Sequence, residues 1–170
     1  RGKAGGIGFA DSAAEAERVA RELIGSTIKG SWVQQLLVEE KLDIARQFYV
    51  AVTVDRQARR YVVLTSAEGG IDIEETALAS PGKISRYWVD PETGFNSVAA
   101  GGTLSQLGIS TVEAEGMTAI ISILYKVAMD TDAEMVELNP LVRTGSGELV
   151  AADARMIIDD NALFRHPEFE

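Results

Sequence analysis

The chain has 170 residues, enough for one domain with a core that needs no covalent staples, and its 46% apolar and 25% charged residues are those of a folded globular protein. It contains no cysteine and a single histidine, His166, which excludes disulfide scaffolds, thiolate zinc sites, cysteine nucleophiles and any site needing two histidines. Sixteen basic against 26 acidic residues give a net charge of −10, a field that repels polyanions and argues against nonspecific nucleic-acid binding.

No apolar run approaches the roughly 20 residues of a membrane span. The opening RGKAGGIGFA lacks the pattern of a signal peptide. The expectation is a soluble, cytoplasmic domain with oxygen-based chemistry. Four of the first ten residues are glycine (Gly2, Gly5, Gly6 and Gly8), and so dense a loop at the very start suggests that something preceded it. Ser12 and Glu15 have capping-box spacing, and Ala13, Ala16, Ala20, Leu23 and Ile24 recur on one helical face before Gly25 closes the helix. Residues 32–39 read as a strand. So do residues 48–54 and 61–65, joined by DRQAR in a hairpin-like connection. A loop, SAEGGIDIEE, leads to a strand at residues 83–89 and the turn signal DPETG.

Residues 99–108 are small and flexible in composition. Ser110 and Glu113 form a second capping box, followed by a stripe of Met117, Ile120, Ile121, Leu124 and Ala128. Strands near residues 134–142 and 148–154 flank the turn signal TGSG, and the last dozen residues suggest a short capped helix and a tail. Trp32, Trp88 and the other aromatics are spread singly and read as core. Helices and strands mix without strict alternation, which predicts an α+β fold with a largely antiparallel sheet.

The last hairpin concentrates chemistry. If Gly145, Ser146 and Gly147 make a three-residue loop, Asn139 lies opposite Asp153 and Glu137 opposite Arg155. The period of two then puts all four side chains on one face. Hard oxygen ligands of this kind suit Mg²⁺, which takes one or two protein ligands and completes its shell with water and phosphate oxygens. The same alternation also fits an outer, solvated face of a half-exposed hairpin, and a one-residue slip would undo the pairing.

Other segments are weaker alone. The glycines beside Arg1 and Lys3 would let backbone N–H groups approach phosphates, although frayed termini share that composition. The segment Val38-Glu39-Glu40-Lys41-Leu42 fits an adenine edge or a plain strand exit. Glu68-Gly69-Gly70 fits a ligand contact or a turn. His166 reads as a surface or packing residue, without a catalytic role.

Taken together, RGKAGG at 1–6, LLVEEKLDIARQFYV at 36–50, SAEGGIDIEE at 66–75, and ELNPLV with LVAADARMIIDDNALFR within 137–165 resemble the beta subunit of succinyl-CoA synthetase (succinate–CoA ligase), an ATP-grasp fold, essentially end to end. The resemblance implies an ATP or GTP clamped between two α+β subdomains with Mg²⁺, the metal ligands being Asn139 and Asp153. It carries the phosphate loop onto Arg1 and Gly2, the adenine-edge glutamate onto Glu39, and a backbone contact onto Leu42. A ribose-binding glutamate falls on Gln47, a departure that removes charge, and Arg155 takes a lysine position.

The same resemblance implies phosphorylation of a histidine on an alpha subunit, with succinate and CoA as further substrates. Glu137 and the Glu68-Gly69-Gly70 loop are then candidates for receiving that histidine. It also implies that residues 1–170 are a domain fragment, with the start of the ATP-grasp domain and the C-terminal CoA-ligase domain absent. Such a fragment is expected to be inactive alone and to bind nucleotide weakly, and to be cytoplasmic, or in the mitochondrial matrix if eukaryotic. Malate–CoA ligase, a citrate-activating relative and a noncatalytic ATP-grasp module stand as alternatives.

Overall fold

The structure is a computed structural model that describes residues 5–70 and 72–169. The chain divides into two compact units, Arg1–Leu42 and Asp43–Glu170.

In the first unit, α1 (Ala13–Leu23) starts where the Ser12 hydroxyl accepts from the Glu15 N–H, as the capping-box spacing predicts. Gly25 follows at φ +79°, the left-handed position that ends a helix. A two-residue hairpin of β1 (Thr27–Ile28) and β2 (Ser31–Trp32) comes next. Its turn residues Lys29 and Gly30 both have positive φ, +50° and +82°, the backbone such a tight connection requires. The strand expected at residues 32–39 is not formed, since β2 ends at Trp32 and residues 33–43 are irregular. A run of apolar residues makes a strand only where a neighbouring strand takes up its N–H and C=O groups. No described residue of this unit is buried, and Trp32 is 67% exposed, which corrects its reading as core.

The second unit is built on a sheet of β3 (Ile44–Asp55), β4 (Arg60–Ser66), β5 (Ile84–Trp88), β6 (Ala133–Thr144), β7 (Leu149–Ala151) and β8 (Ala154–Ile158). The strand order is β5-β4-β3-β6-β7, β8 also pairs with β6, and every pairing is antiparallel. The central β3 is rich in β-branched and aromatic residues and buried on both faces. Phe48, Val50 and Val52 point to one core with Leu104, Met117, Ile121 and Leu124, and Tyr49 and Ala51 point to another with Ile73 and Ile84. The first core lies under α3 (Ser97–Ser105) and α4 (Thr111–Asp130), and the second under α2 (Ile73–Ala79).

Two of these helices differ from the sequence expectation. α2 begins within the segment 66–75 read as a loop and runs past it, its N-terminus capped by the Asp72 side chain. α3 occupies the stretch read as flexible, capped by Asn96. Both are short, and α3 is rich in small residues, so helical periodicity is faint; burial of Ile73, Ala100 and Leu104 against the sheet stabilises them. Trp88 is 43% exposed, its indole N–H donating to Asp55 Oδ2 at 2.8 Å. The capping box at Ser110 and Glu113 is formed with both bonds. The chain closes in two 3₁₀ turns, Asp160–Arg165 and Pro167–Phe169. Among the described residues, no helix is long and apolar enough to cross a membrane.

Candidate functional site

The hairpin of β6 with β7 and β8 has the register expected from its turn. The Thr144 N–H donates to the Glu148 carbonyl at 2.9 Å, closing the Gly145-Ser146-Gly147 loop. Leu141 pairs with Ala151, Leu138 with Ala154, and Glu137 with Arg155. Between these pairs the Asn139 N–H donates to the Asp153 carbonyl at 3.0 Å, which sets the two residues directly opposite.

The site stands at a break in the ladder. Opposite β3, the pairing jumps from Val50↔Leu138 to Phe48↔Leu141, so β6 carries an extra residue at Asn139-Pro140. Proline has no N–H for the ladder, and a bulge there lets Leu138 and Leu141 face the same core although they are three positions apart. On the facing strand, Ala152 and Asp153 separate β7 from β8. Irregular backbone thus falls on both strands at Asn139 and Asp153, where the Ala152 N–H still donates to the Pro140 carbonyl at 3.2 Å, and bulges of this kind re-aim side chains beside functional sites.

Two further contacts organise this face. The Tyr49 hydroxyl donates to Glu137 Oε2 at 3.0 Å, across paired strands and 88 residues away in sequence. Tyr49 is buried, and burial together with the Glu137 charge raises its pKa far above the ordinary phenol value, so it is always a donor. The other contact comes from the turn between β4 and α2, where the Gly70 N–H donates to Asn139 Oδ1 at 2.8 Å. The Gly69 N–H donates to the Gln47 carbonyl at 3.0 Å, which anchors the same turn on β3.

The register expected of the hairpin is therefore observed: Glu137 pairs with Arg155 and Asn139 lies opposite Asp153, while the Glu68-Gly69-Gly70 turn bonds both Asn139 and Gln47. Glu39 and Leu42 lie in the irregular segment of the first unit, Glu39 exposed and Leu42 half-buried. Arg1 and Gly2 fall outside the described residues. The oxygens available at the hairpin, the neutral amide of Asn139 and the carboxylate of Asp153, fit a hard cation that keeps most of its shell for water and phosphate. Among the described residues, no cluster of three or more His, Cys, Asp or Glu side chains offers a closed protein cage.

Sequence reasoning missed Tyr49 and an ionic cluster on the helical face. Glu113 is buried and accepts from Arg46 Nη1 at both carboxylate oxygens, at 2.9 and 2.8 Å, with Arg143 Nε at 3.8 Å. The Ser110 hydroxyl and then the Arg46 charge hold its carboxyl below the usual range. Arg46 and Arg143 are register partners on β3 and β6, a pairing that only the sheet discloses. His166 is buried, not solvated, and belongs to the packing alternative of its expectation.

Comparison with known proteins identifies the family. The family model described as an ATP-grasp domain matches residues 1–143. The succinate–CoA ligase [ADP-forming] subunit beta of Pyrobaculum calidifontis is 45% identical over 172 residues, covering 100% of this chain and 45% of the relative. The succinate–CoA ligase [GDP-forming] subunit beta of Thermus thermophilus is 42% identical, covering 99% of this chain and 44% of the relative. The chain thus spans less than half the length of these relatives. ATP citrate lyase from Methanothrix soehngenii, solved with citrate and coenzyme A, shares the fold with a TM-score of 0.69 at 23% identity, over 96% of this chain and 37% of that one. A family match over residues 1–143 and relatives aligned over nearly the whole chain, on a mostly antiparallel sheet with flanking helices, lead to one assignment: the chain belongs to the ATP-grasp domain family.

Proposed function

We propose that this chain is the nucleotide- and Mg²⁺-binding part of a succinate–CoA ligase beta subunit, ADP- or GDP-forming. In the whole enzyme, ATP or GTP would phosphorylate a histidine of an alpha subunit, and that phosphohistidine would drive the interconversion of succinate and succinyl-CoA. The observation that carries this reading is the pairing of Asn139 with Asp153 at the break in the sheet. Support comes from relatives at 45% and 42% identity named as beta subunits of that ligase. The acid- and CoA-binding parts would lie outside residues 1–170, so this chain alone would not turn over succinate. Its acidic, cysteine-free composition supports a cytoplasmic setting.

Asn139 and Asp153 would hold Mg²⁺, which when bound supplies positive charge against the nucleotide phosphates. Arg1 and Gly2 would contact phosphate, Glu39 and Leu42 the base, and Gln47 the ribose. An amide at Gln47 still hydrogen-bonds a hydroxyl, but without the charge of a carboxylate. Glu137 would receive the partner's histidine, and its bond from Tyr49 supports that role by orienting the carboxylate. Calorimetric titration with Mg-ATP tests the reading. Binding is expected to need the metal and to be lost in Asn139→Ala. Equal binding by the two proteins, or binding unchanged by EDTA, would overturn it.

A further inference from the structure

Resting on the metal-binding reading above, we propose that Gly70 is the positioning residue for Asn139: its backbone N–H turns the side-chain amide so that Oδ1, and not Nδ2, is presented to the cation. The two ends of an asparagine amide have nearly the same size and shape, but only the oxygen can ligate a hard cation. An amide N–H can donate only to the oxygen end. The 2.8 Å bond from Gly70 to Asn139 Oδ1 therefore selects the productive orientation. A carbonyl oxygen has two lone pairs, so accepting from Gly70 is compatible with ligating a cation through the same atom.

The turn that presents this N–H needs both of its glycines. At Gly69 a Cβ would lie 2.6 Å from the Phe48 carbonyl carbon and 2.7 Å from the Phe48 nitrogen, so any side chain would push the turn off β3. Gly70 has φ +68°, in the left-handed region, and a Cβ there would lie 2.7 Å from Gln47 Oε1. The turn is tied on both sides. The Gly69 N–H bonds the Gln47 carbonyl, and the Glu68 carboxylate pairs with Lys83 Nζ at 2.7 Å. The paired glycines thus bring the backbone of the β4–α2 turn against β3 and aim one N–H at a candidate ligand 69 residues away.

The test is a cycle of variants in the complete subunit, read as Mn-ATP affinity by calorimetry. Gly70→Ala, which strains the left-handed backbone and disturbs the peptide, should weaken Mn-ATP binding about tenfold, the usual effect of losing a group that orients a metal ligand. In an Asn139→Asp background both outer atoms are oxygens, orientation has no consequence, and the same Gly70→Ala change should cost less than about threefold. A merely structural role for Gly70 would carry the full loss into both backgrounds, and that result would overturn the proposal. So would an affinity unchanged by Gly70→Ala. Asn139→Ala separates the two readings: if it leaves Mn-ATP affinity unchanged, the metal assignment itself fails. Amide exchange at Gly70 requires no variant of the turn. It should be slow in the unsubstituted protein and about tenfold faster in Asn139→Ala, and fast exchange in both overturns the proposal.

Discussion

His166 Nε2 lies 2.8 Å from Asp132 Oδ2, joining the C-terminal 3₁₀ turns to the start of β6. On the other side of the ring, Nδ1 lies 3.2 Å from Glu168 Oε1. Asp132 also accepts from Arg165 Nε at 3.0 Å, and the ring packs on Phe169 at 5.6 Å between centroids. A neutral imidazole has one N–H, so only the imidazolium can donate to both carboxylates.

The hydrogen bond to Asp132 raises the pKa of His166 above the ordinary histidine value. A raised folded-state pKa stabilises the fold at pH values below the unfolded value of about 6.5, and the contribution fades as pH rises through the folded value. Asp132 is shifted down by the bonds from His166 and Arg165, so its own contribution is present at neutral pH and fades in acid. Thermal melts between about pH 5 and pH 9 should show stability falling on the alkaline side, with that slope abolished in His166→Ala. An unchanged slope in the variant would assign the pH dependence to other groups.

Glu113 combines a helix cap with an ionic pair across 67 residues. Glu113→Ala removes the bond to the Ser110 N–H and leaves Arg46 without its carboxylate. The expected loss is about 2–3 kcal/mol by urea denaturation. Because the carboxyl is held below its ordinary range, this stabilisation is present above the unfolded value and disappears as pH falls through the folded value. Glu113→Gln, which keeps some hydrogen bonds, should retain part of the stability and lose most of the acid-side dependence.

Tyr49 separates core packing from polar positioning. The residue is 2% exposed, and its hydroxyl reaches Glu137. Tyr49→Phe keeps the ring and should cost about 1 kcal/mol, while Tyr49→Ala opens a cavity and should cost about 3–5 kcal/mol. Equal losses in the two variants would mean that the hydroxyl, rather than the ring, carries the stability.

Gly69→Ala should be more destabilising than most single substitutions, because its Cβ meets main-chain atoms of Phe48 in the central strand, not a movable side-chain tip. The expected loss is about 3 kcal/mol on denaturation, with a lower melting temperature. A neutral substitution would show that the turn can lift off β3 without cost.

Chelation is the simplest test of the metal reading. On the proposed reading, EDTA should abolish nucleotide binding by the complete subunit, because the phosphates would then face the Asp153 carboxylate without a cation between them. An affinity that survives the chelator would place the nucleotide away from the hairpin.

Much of the hairpin site was legible in the sequence because short turns dictate register. Once Gly145-Ser146-Gly147 closes the loop, Asn139 can only meet Asp153 and Glu137 can only meet Arg155. The helices capped by Ser12 and by the capping box of Ser110 and Glu113 were legible for the same local reason. The apolar run after Trp32 misled: strand propensity describes how residues fit a pleated surface, and residues 33–43 have no described partner strand. α2 was hidden because seven residues are too few to show a helical period, and its stability comes from Ile73 packing against the sheet.

Composition narrowed the chemical class: without cysteine and with one histidine, oxygen donors are what remain for any metal, and the pattern of the last hairpin places two of them, Asn139 and Asp153, opposite each other. The length that first suggested a self-sufficient domain proved to cover less than half of each matched beta subunit. Only the tertiary structure could bring Tyr49 to Glu137, Arg46 to Glu113 and Gly70 to Asn139. Each of these pairs joins residues more than 60 positions apart, and such contacts depend on strand order and on a bulge in β6, which no local periodicity encodes.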